Sequence, residues 1–185
     1  MAEQKLSDVE YIKIDSNYLR GTIQQGLDDE ITGAIAEDDT QLTKFHGFYQ
    51  QDDRDLRDER RLQMLEPHYQ FMLRLRLPGG VLTGKQWLVL DDVAHKYANG
   101  TLRLTTRQTF QYHGVLKKHL KPLLQATNEV GVDSRGACGD VNRNVVANTN
   151  PDLSAVHAEV YDWSNKISDA LIWKSSAYDE IWLEK

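Results

Sequence analysis

Cysteine is almost missing from this sequence, with a single residue, Cys138, in 185. One thiol excludes an internal disulfide, and with no Cys or His at ligand spacing around it the chain builds no zinc or iron–sulfur site by itself. Cys138 reads as a small loop or packing residue. Long apolar runs are missing too. None approaches the length that spans a bilayer, and the opening Met-Ala-Glu-Gln-Lys has no charged region followed by an apolar one. A cytoplasmic chain is therefore expected. The third absence is a basic excess: a formal charge of −6 and a pI near 5.5 argue against nucleic acid or an anionic membrane as a general partner. What remains, 40% hydrophobic residues over this length, suffices for one core of ordinary size or for one domain with an arm.

The most informative absence is local. From Arg103 to Gly114 the chain reads Arg-Leu-Thr-Thr-Arg-Gln-Thr-Phe-Gln-Tyr-His-Gly, without one Asp or Glu. Arg103 and Thr105 share one strand parity while Leu102 and Leu104 share the other, and Gln111 and His113 alternate with Phe110 and Tyr112 in the same way. A second run, Gln70 to Leu77, puts Arg74 and Arg76 on one face and Phe71, Leu73, Leu75 and Leu77 on its opposite. On a single strand such a polar face is what an antiparallel sheet shows to water. A solvated strand in an acidic protein would interleave carboxylates, however, and their absence points to a bound anion met by guanidinium forks.

Residues 1–65 are polar and short of strand signals, and they read as an extended N-terminal arm. Within the arm, Asp53 and Arg57 lie four apart and would support a charged helix, although a solvated face explains the same pattern. Residues 66–131 are more orderly. A strand ends at Pro78-Gly79-Gly80; Thr83 and Gln86 form a capping box for a helix carrying Trp87, Leu90, Ala94 and Tyr97; and Asn99-Gly100 stops it. Two strands joined by a turn near Thr106-Arg107 follow, then a helix with Pro122 in its first turn, Leu120, Leu123, Leu124 and Val130 as apolar positions, and Gly131 as cap. The order β-α-β-β-α predicts an α+β fold, an incomplete ferredoxin-like half-domain whose sheet has helices on one face. Residues 132–185 read as a Gly-, Asp- and Asn-rich site loop containing Asn142-Arg143-Asn144, then a helix from Pro151 through Val156, Val160, Trp163 and Ile167 that begins a further, truncated domain.

Four segments, Phe45 to Asp55, Arg74 to Gly80, Arg103 to Gly114 and Asn142 to Asn144, together and in this order closely resemble the siroheme sulfite and nitrite reductases. The acidic Gln-Gln-Asp-Asp-Arg-Asp run is most similar to the haemoprotein (beta) subunit of the NADPH-dependent assimilatory branch. The resemblance implies six-electron reduction of sulfite to sulfide at a siroheme bridged to a 4Fe-4S cluster, in sulfate assimilation and cysteine biosynthesis. Electrons would come from NADPH through a flavoprotein (alpha) subunit, which the polar arm would meet unless it wraps the rest of its own subunit. It also implies that Arg74 and Arg143 reach the sulfite, that Arg103, Arg107 and Gln111 hold the siroheme, and that Arg76, Thr105 and His113 are weaker candidates. The cluster cysteines and two anion-site lysines of that family have no counterpart here, so the resemblance implies an N-terminal fragment of a longer subunit, inactive alone. Three other readings stay open: a siroheme nitrite reductase, an RNA-binding ferredoxin-like module without the usual Gly-Phe signature, and a non-catalytic paralogue.

Overall fold

The computed structural model describes residues 5–184. Its centre is a four-stranded antiparallel sheet of β1 (Phe48–Asp52), β2 (Tyr69–Arg74), β3 (Arg103–Leu104) and β4 (Phe110–Val115), in the order β1-β2-β4-β3. The β-α-β-β-α order expected over 66–131 is present, with α5 (Gly84–Tyr97) after β2 and α6 (Lys117–Glu129) after β4. The segment expected to be short of strands supplies one. β1 joins the edge of β2, with Phe48 opposite Leu73 and Gln51 opposite Gln70, after three helices α1 (Asp8–Asp15), α2 (Ile23–Asp28) and α3 (Glu37–His46) and before a short α4 (Arg57–Leu62). Arg57 pairs with Asp52 at 2.6 and 2.7 Å, not with Asp53, whose carboxylate accepts from Gln70 Nε2 at 3.0 Å.

Local chemistry explains the elements that frame the sheet. The Thr83 hydroxyl accepts from Gln86 N–H at 3.2 Å while the Gln86 side-chain oxygen takes the Thr83 amide at 2.9 Å, so α5 starts where its capping box lies. Asn99-Gly100 closes it, with Gly100 in the left-handed region. Pro122 sits inside α6, beyond the first turn expected for it, because the helix begins at Lys117. The carbonyl it leaves unbonded belongs to exposed Lys118, where water can take the place of the missing N–H. One sheet face is fully apolar: Phe48, Phe71, Leu73, Tyr112 and Val115 pack with Leu90, Val93, Ala94, Leu120, Leu123 and Leu124 of the two helices. Tyr112 keeps its hydroxyl satisfied by donating to Leu90 O at 3.1 Å. Gly114, with φ +70°, absorbs the register shift in β4 as a bulge.

Beyond α6 the chain crosses the other sheet face as a loop and then forms α7 (Ala155–Leu171), preceded by a turn at Pro151–Leu153 and capped by Ser154. α7 turns its small polar side toward Arg76 and the turn at Pro78–Gly80 that follows β2. Ser164 and Ser168 are buried, whereas Val156, Val160, Trp163 and Ile167 are 40–67% exposed. No helix among the described residues is long and apolar enough to cross a membrane.

The N-terminal helices are fixed to the far end of the chain. His46 is fully buried; its Nε2–H donates to Leu19 O at 2.8 Å and its Nδ1 accepts from Trp182 Nε1 at 3.0 Å, while Trp173 and Tyr178 flank the ring. Arg20 forks onto Glu180 at 2.7 and 2.8 Å. Burial, with a smaller push from Arg135, lowers His46 to about pH 4 against an opposing bond to the Leu19 carbonyl. The unfolded chain therefore binds the proton first as pH falls. Stability from this site is complete above about pH 6.5 and is lost toward pH 4, by up to about 3 kcal/mol. Urea denaturation from pH 7 to pH 4 is expected to show a falling midpoint in the native sequence and a flatter profile in His46→Gln.

Candidate functional site

Arginines in this chain fall into two groups. Arg20, Arg57, Arg76 and Arg135 have carboxylate partners. Among the described ion pairs none involves Arg74, Arg103, Arg107 or Arg143, nor Arg54, Arg60 or Arg61 of the segment around α4. Strand pairing lines three of the candidate residues up in one row: Arg103 stands opposite Gln111, and Gln111 opposite Arg74. All three are on the sheet face away from α5 and α6.

Gln111 joins the row electrostatically. With its amide oxygen toward Arg74, it accepts from Nε at 3.0 Å and also from Nη2, and its amide nitrogen then faces His113 Nε2 at 3.4 Å. Burial, reinforced by Arg103 and Arg74, lowers the pKa of His113, so the imidazole is neutral and suited to accept that hydrogen bond. Arg103 is exposed at the sheet edge, beside Leu104, which is 75% exposed. The apolar parity expected for Leu104 does not bury it, because β3 is two residues long and has no neighbour on its outer side.

The site loop lies over the row from the other side. Arg74 Nη1 donates to Ala137 O at 3.3 Å, and Arg74 N donates to Gly47 O at 2.8 Å. Gly47 permits this approach: its φ is +104°, and a Cβ there would sit 2.1 Å from Ser134 O. Cys138 is buried beside the Tyr49 hydroxyl. Burial raises the thiol pKa, opposed by Arg74, Tyr49 and Arg143, so Cys138 is held as a neutral packing group with both guanidinium groups near it. The charge of Arg143, like that of Arg74, is felt at the Cys138 thiol. The Arg143 Nε is buried and has no hydrogen-bond partner.

Arg107 lies in the turn between β3 and β4, where Gln108 takes a left-handed φ of +54° in the absence of Gly or Asn. Arg76, a weaker candidate on sequence, is occupied elsewhere: it forks onto Asp133 at 2.7 and 2.8 Å and also reaches Ser168 and Asp169. Thr105 supports the turn by accepting from Arg107 N at 3.3 Å. Sequence reasoning missed Gly47, and it missed what Asn144 does. The second had a visible signal, since an Asn adjoining a cation in a loop is a natural side-chain bracket for backbone.

The four candidate guanidinium groups, none of them ion-paired and one with a buried unpaired donor, fit an anion carrying several carboxylates or a compact oxyanion. Among the described residues no three His, Cys, Asp or Glu side chains gather as metal ligands. Residues 63–130 match the family described as the nitrite/sulfite reductase ferredoxin-like half domain. Those residues are thus a half domain of the nitrite/sulfite reductase family. The chain is 63% identical over 179 residues to the sulfite reductase [NADPH] hemoprotein beta-component of Oceanobacillus iheyensis, covering 97% of this chain and 31% of that protein. It is 60% identical over 182 residues to the protein of the same name from Staphylococcus haemolyticus, covering 98% and 32%. The chain thus spans about a third of the length of these curated relatives. The solved structure of the Mycobacterium tuberculosis NirA protein superposes on 95% of this chain and 34% of its own with a TM-score of 0.71 at 22% identity, which establishes the shared fold.

The two groups of arginine differ in what their removal leaves behind. Arg76→Ala takes the bidentate partner from the half-buried Asp133 carboxylate, leaving it the Arg135 amide at 3.1 Å and Arg135 Nε at 3.9 Å, and is expected to cost about 2 kcal/mol. Arg74→Ala strands no charge and relieves repulsion with Arg143, so its effect should stay within about 1 kcal/mol of zero. Chemical denaturation of the two variants checks this, and equal losses would contradict the division.

Proposed function

We propose that this chain supplies the cation face of a sulfite-reducing haemoprotein subunit, cytoplasmic and supplied with electrons by a flavoprotein partner that draws on NADPH. The reading is carried by one observation: the buried, unpartnered Nε of Arg143, whose charge is felt at the same Cys138 thiol as that of the carboxylate-free Arg74. A donor left unpaired in the interior costs stability, and such a cost is expected where a ligand completes the bond. Sulfite is the anion that the names of the relatives indicate.

Siroheme, an iron tetrapyrrole rich in carboxylates, would supply together with a 4Fe-4S cluster the redox chemistry that takes sulfite to sulfide in six electrons. Arg103 at the open edge, Arg107 in the turn and Gln111 on β4 between Arg103 and Arg74 would hold its carboxylates. Arg74 and Arg143 hold the oxyanion. Both would orient sulfite by hydrogen bonds and stabilise the charge that develops on its oxygens as S–O bonds break. Gln111 fixes the direction of the Arg74 fork. With one cysteine the chain contributes no cluster ligand set, which leaves that task to other residues of the longer subunit. Nitrite is the second reading, favoured because the matched half domain is common to nitrite and sulfite reductases.

In the full-length, siroheme-loaded subunit, Arg143→Ala is expected to lower sulfite turnover by about 100-fold with siroheme retained, the scale seen when an oxyanion donor is removed. Arg107→Ala is expected to lose siroheme. Absorbance of bound siroheme and steady-state turnover with sulfite and with nitrite read both effects. Native siroheme content and native turnover in both variants would refute the assignment.

A further inference from the structure

Two side-chain amides hold the turn that carries Arg107 against the loop that carries Arg143. Asn144 is 3% exposed. Its Oδ1 accepts from Leu77 N at 2.7 Å, and its Nδ2 donates to Leu77 O and to Arg107 O, each at 2.8 Å. Gln108 does the reverse from the turn: its Nε2 donates to Ala147 O at 2.7 Å and its Oε1 accepts from Ala147 N at 3.0 Å. Each amide therefore presents the donor and acceptor that a neighbouring strand would present. Backbone alone does not make this connection. Among the described residues no main-chain hydrogen bond joins 105–109 to 142–147; the turn is closed on itself through Thr105 and Thr109, and the loop is tied to Gly79 through Val145 O.

We infer that Asn144 and Gln108 are positioning residues that make the Arg107 turn and the Arg143 loop one rigid unit, fixing the distance between the cation that holds the cofactor and the cation that holds the oxyanion. The inference rests on the function proposed above. Arg107 and Gln108 are neighbours in sequence, as are Arg143 and Asn144, so each cation lies one residue from an amide that grips the opposite segment. A substrate atom displaced by about 1 Å from its reacting partner can lose about 100-fold in rate, so such a brace has kinetic weight. It also accounts for the left-handed Gln108, which keeps its unfavourable φ because the side chain must reach Ala147.

The test uses the full-length, siroheme-loaded subunit. Asn144→Ala is expected to raise the KM for sulfite about 10-fold, the scale of one lost hydrogen bond to a charged group, and to shift the siroheme absorption bands as Arg107 moves. Thr127→Val serves as the control. Its hydroxyl is equally buried and donates to Leu124 O in α6, remote from the arginine face. It should lower the melting temperature while leaving KM and spectrum native. If Asn144→Ala only lowers the melting temperature, as the control does, the inference is overturned. Arg143→Ala in the same assay separates the two levels: native turnover with a native KM there defeats the anion-site reading, whereas impaired Arg143→Ala with a native KM in Asn144→Ala defeats only the brace. Should Asn144→Ala not fold, Gln108→Ala is expected to raise KM about 3-fold, and a native value would overturn the inference.

Discussion

Like charges gathered on one sheet face repel, and this chain has to keep its guanidinium groups there without the carboxylates that would neutralise them. At an effective dielectric near 20, two unit charges ~8 Å apart repel by about 2 kcal/mol. That tension is borne by neutral groups. Gln111 accepts from Arg74, the Ala137 carbonyl takes a second nitrogen, and the buried Cys138 thiol and neutral His113 fill the space between cations without adding charge. A carboxylate in any of those positions would satisfy the arginines and close them to a ligand.

The paired arginines show the contrast on the same strand. Arg76 is two residues from Arg74 and shares its face, yet its fork is filled by Asp133 and steadied by Ser168 and Asp169. It pins the start of the site loop to β2 and α7 to both. One arginine of the pair builds the frame, and the other is left available by it. Arg135 has a similar structural part, bonded to Asp179 and lying over the Tyr178 ring near buried His46.

What could be read from sequence follows the range of the interactions. β2, α5 with its capping box, β4 and α6 are set by neighbours within a few residues, and their periodicity shows them. β1 escaped because Phe48-Tyr-Gln-Gln-Asp52 has little apolar alternation and becomes a strand only by pairing with β2. Arg74 and Arg76 were indistinguishable on parity, since what separates them is an aspartate 57 residues away. The apolar positions of α7 are at helical spacing as expected, but spacing cannot tell that this helix buries its serines instead. The candidate arginines were visible as residues; of the amides that brace them, Asn144 stood out by its place beside Arg143, but the partners of both did not, because they are backbone atoms with no sequence signature.

The joint between the first helices and the last segment has a consequence for how the molecule is made. His46 waits for Trp182, 136 residues later, and Arg20 for Glu180, 160 residues later. A ribosome releasing about 5–20 residues per second exposes the N-terminal helices for several seconds before their seat exists. The sheet with α5 and α6 draws on residues 48–129 and can close during that interval. Synthesis thus sets the order of assembly, with the oldest part of the chain docking last and the polar character of residues 1–45 keeping it in solution meanwhile.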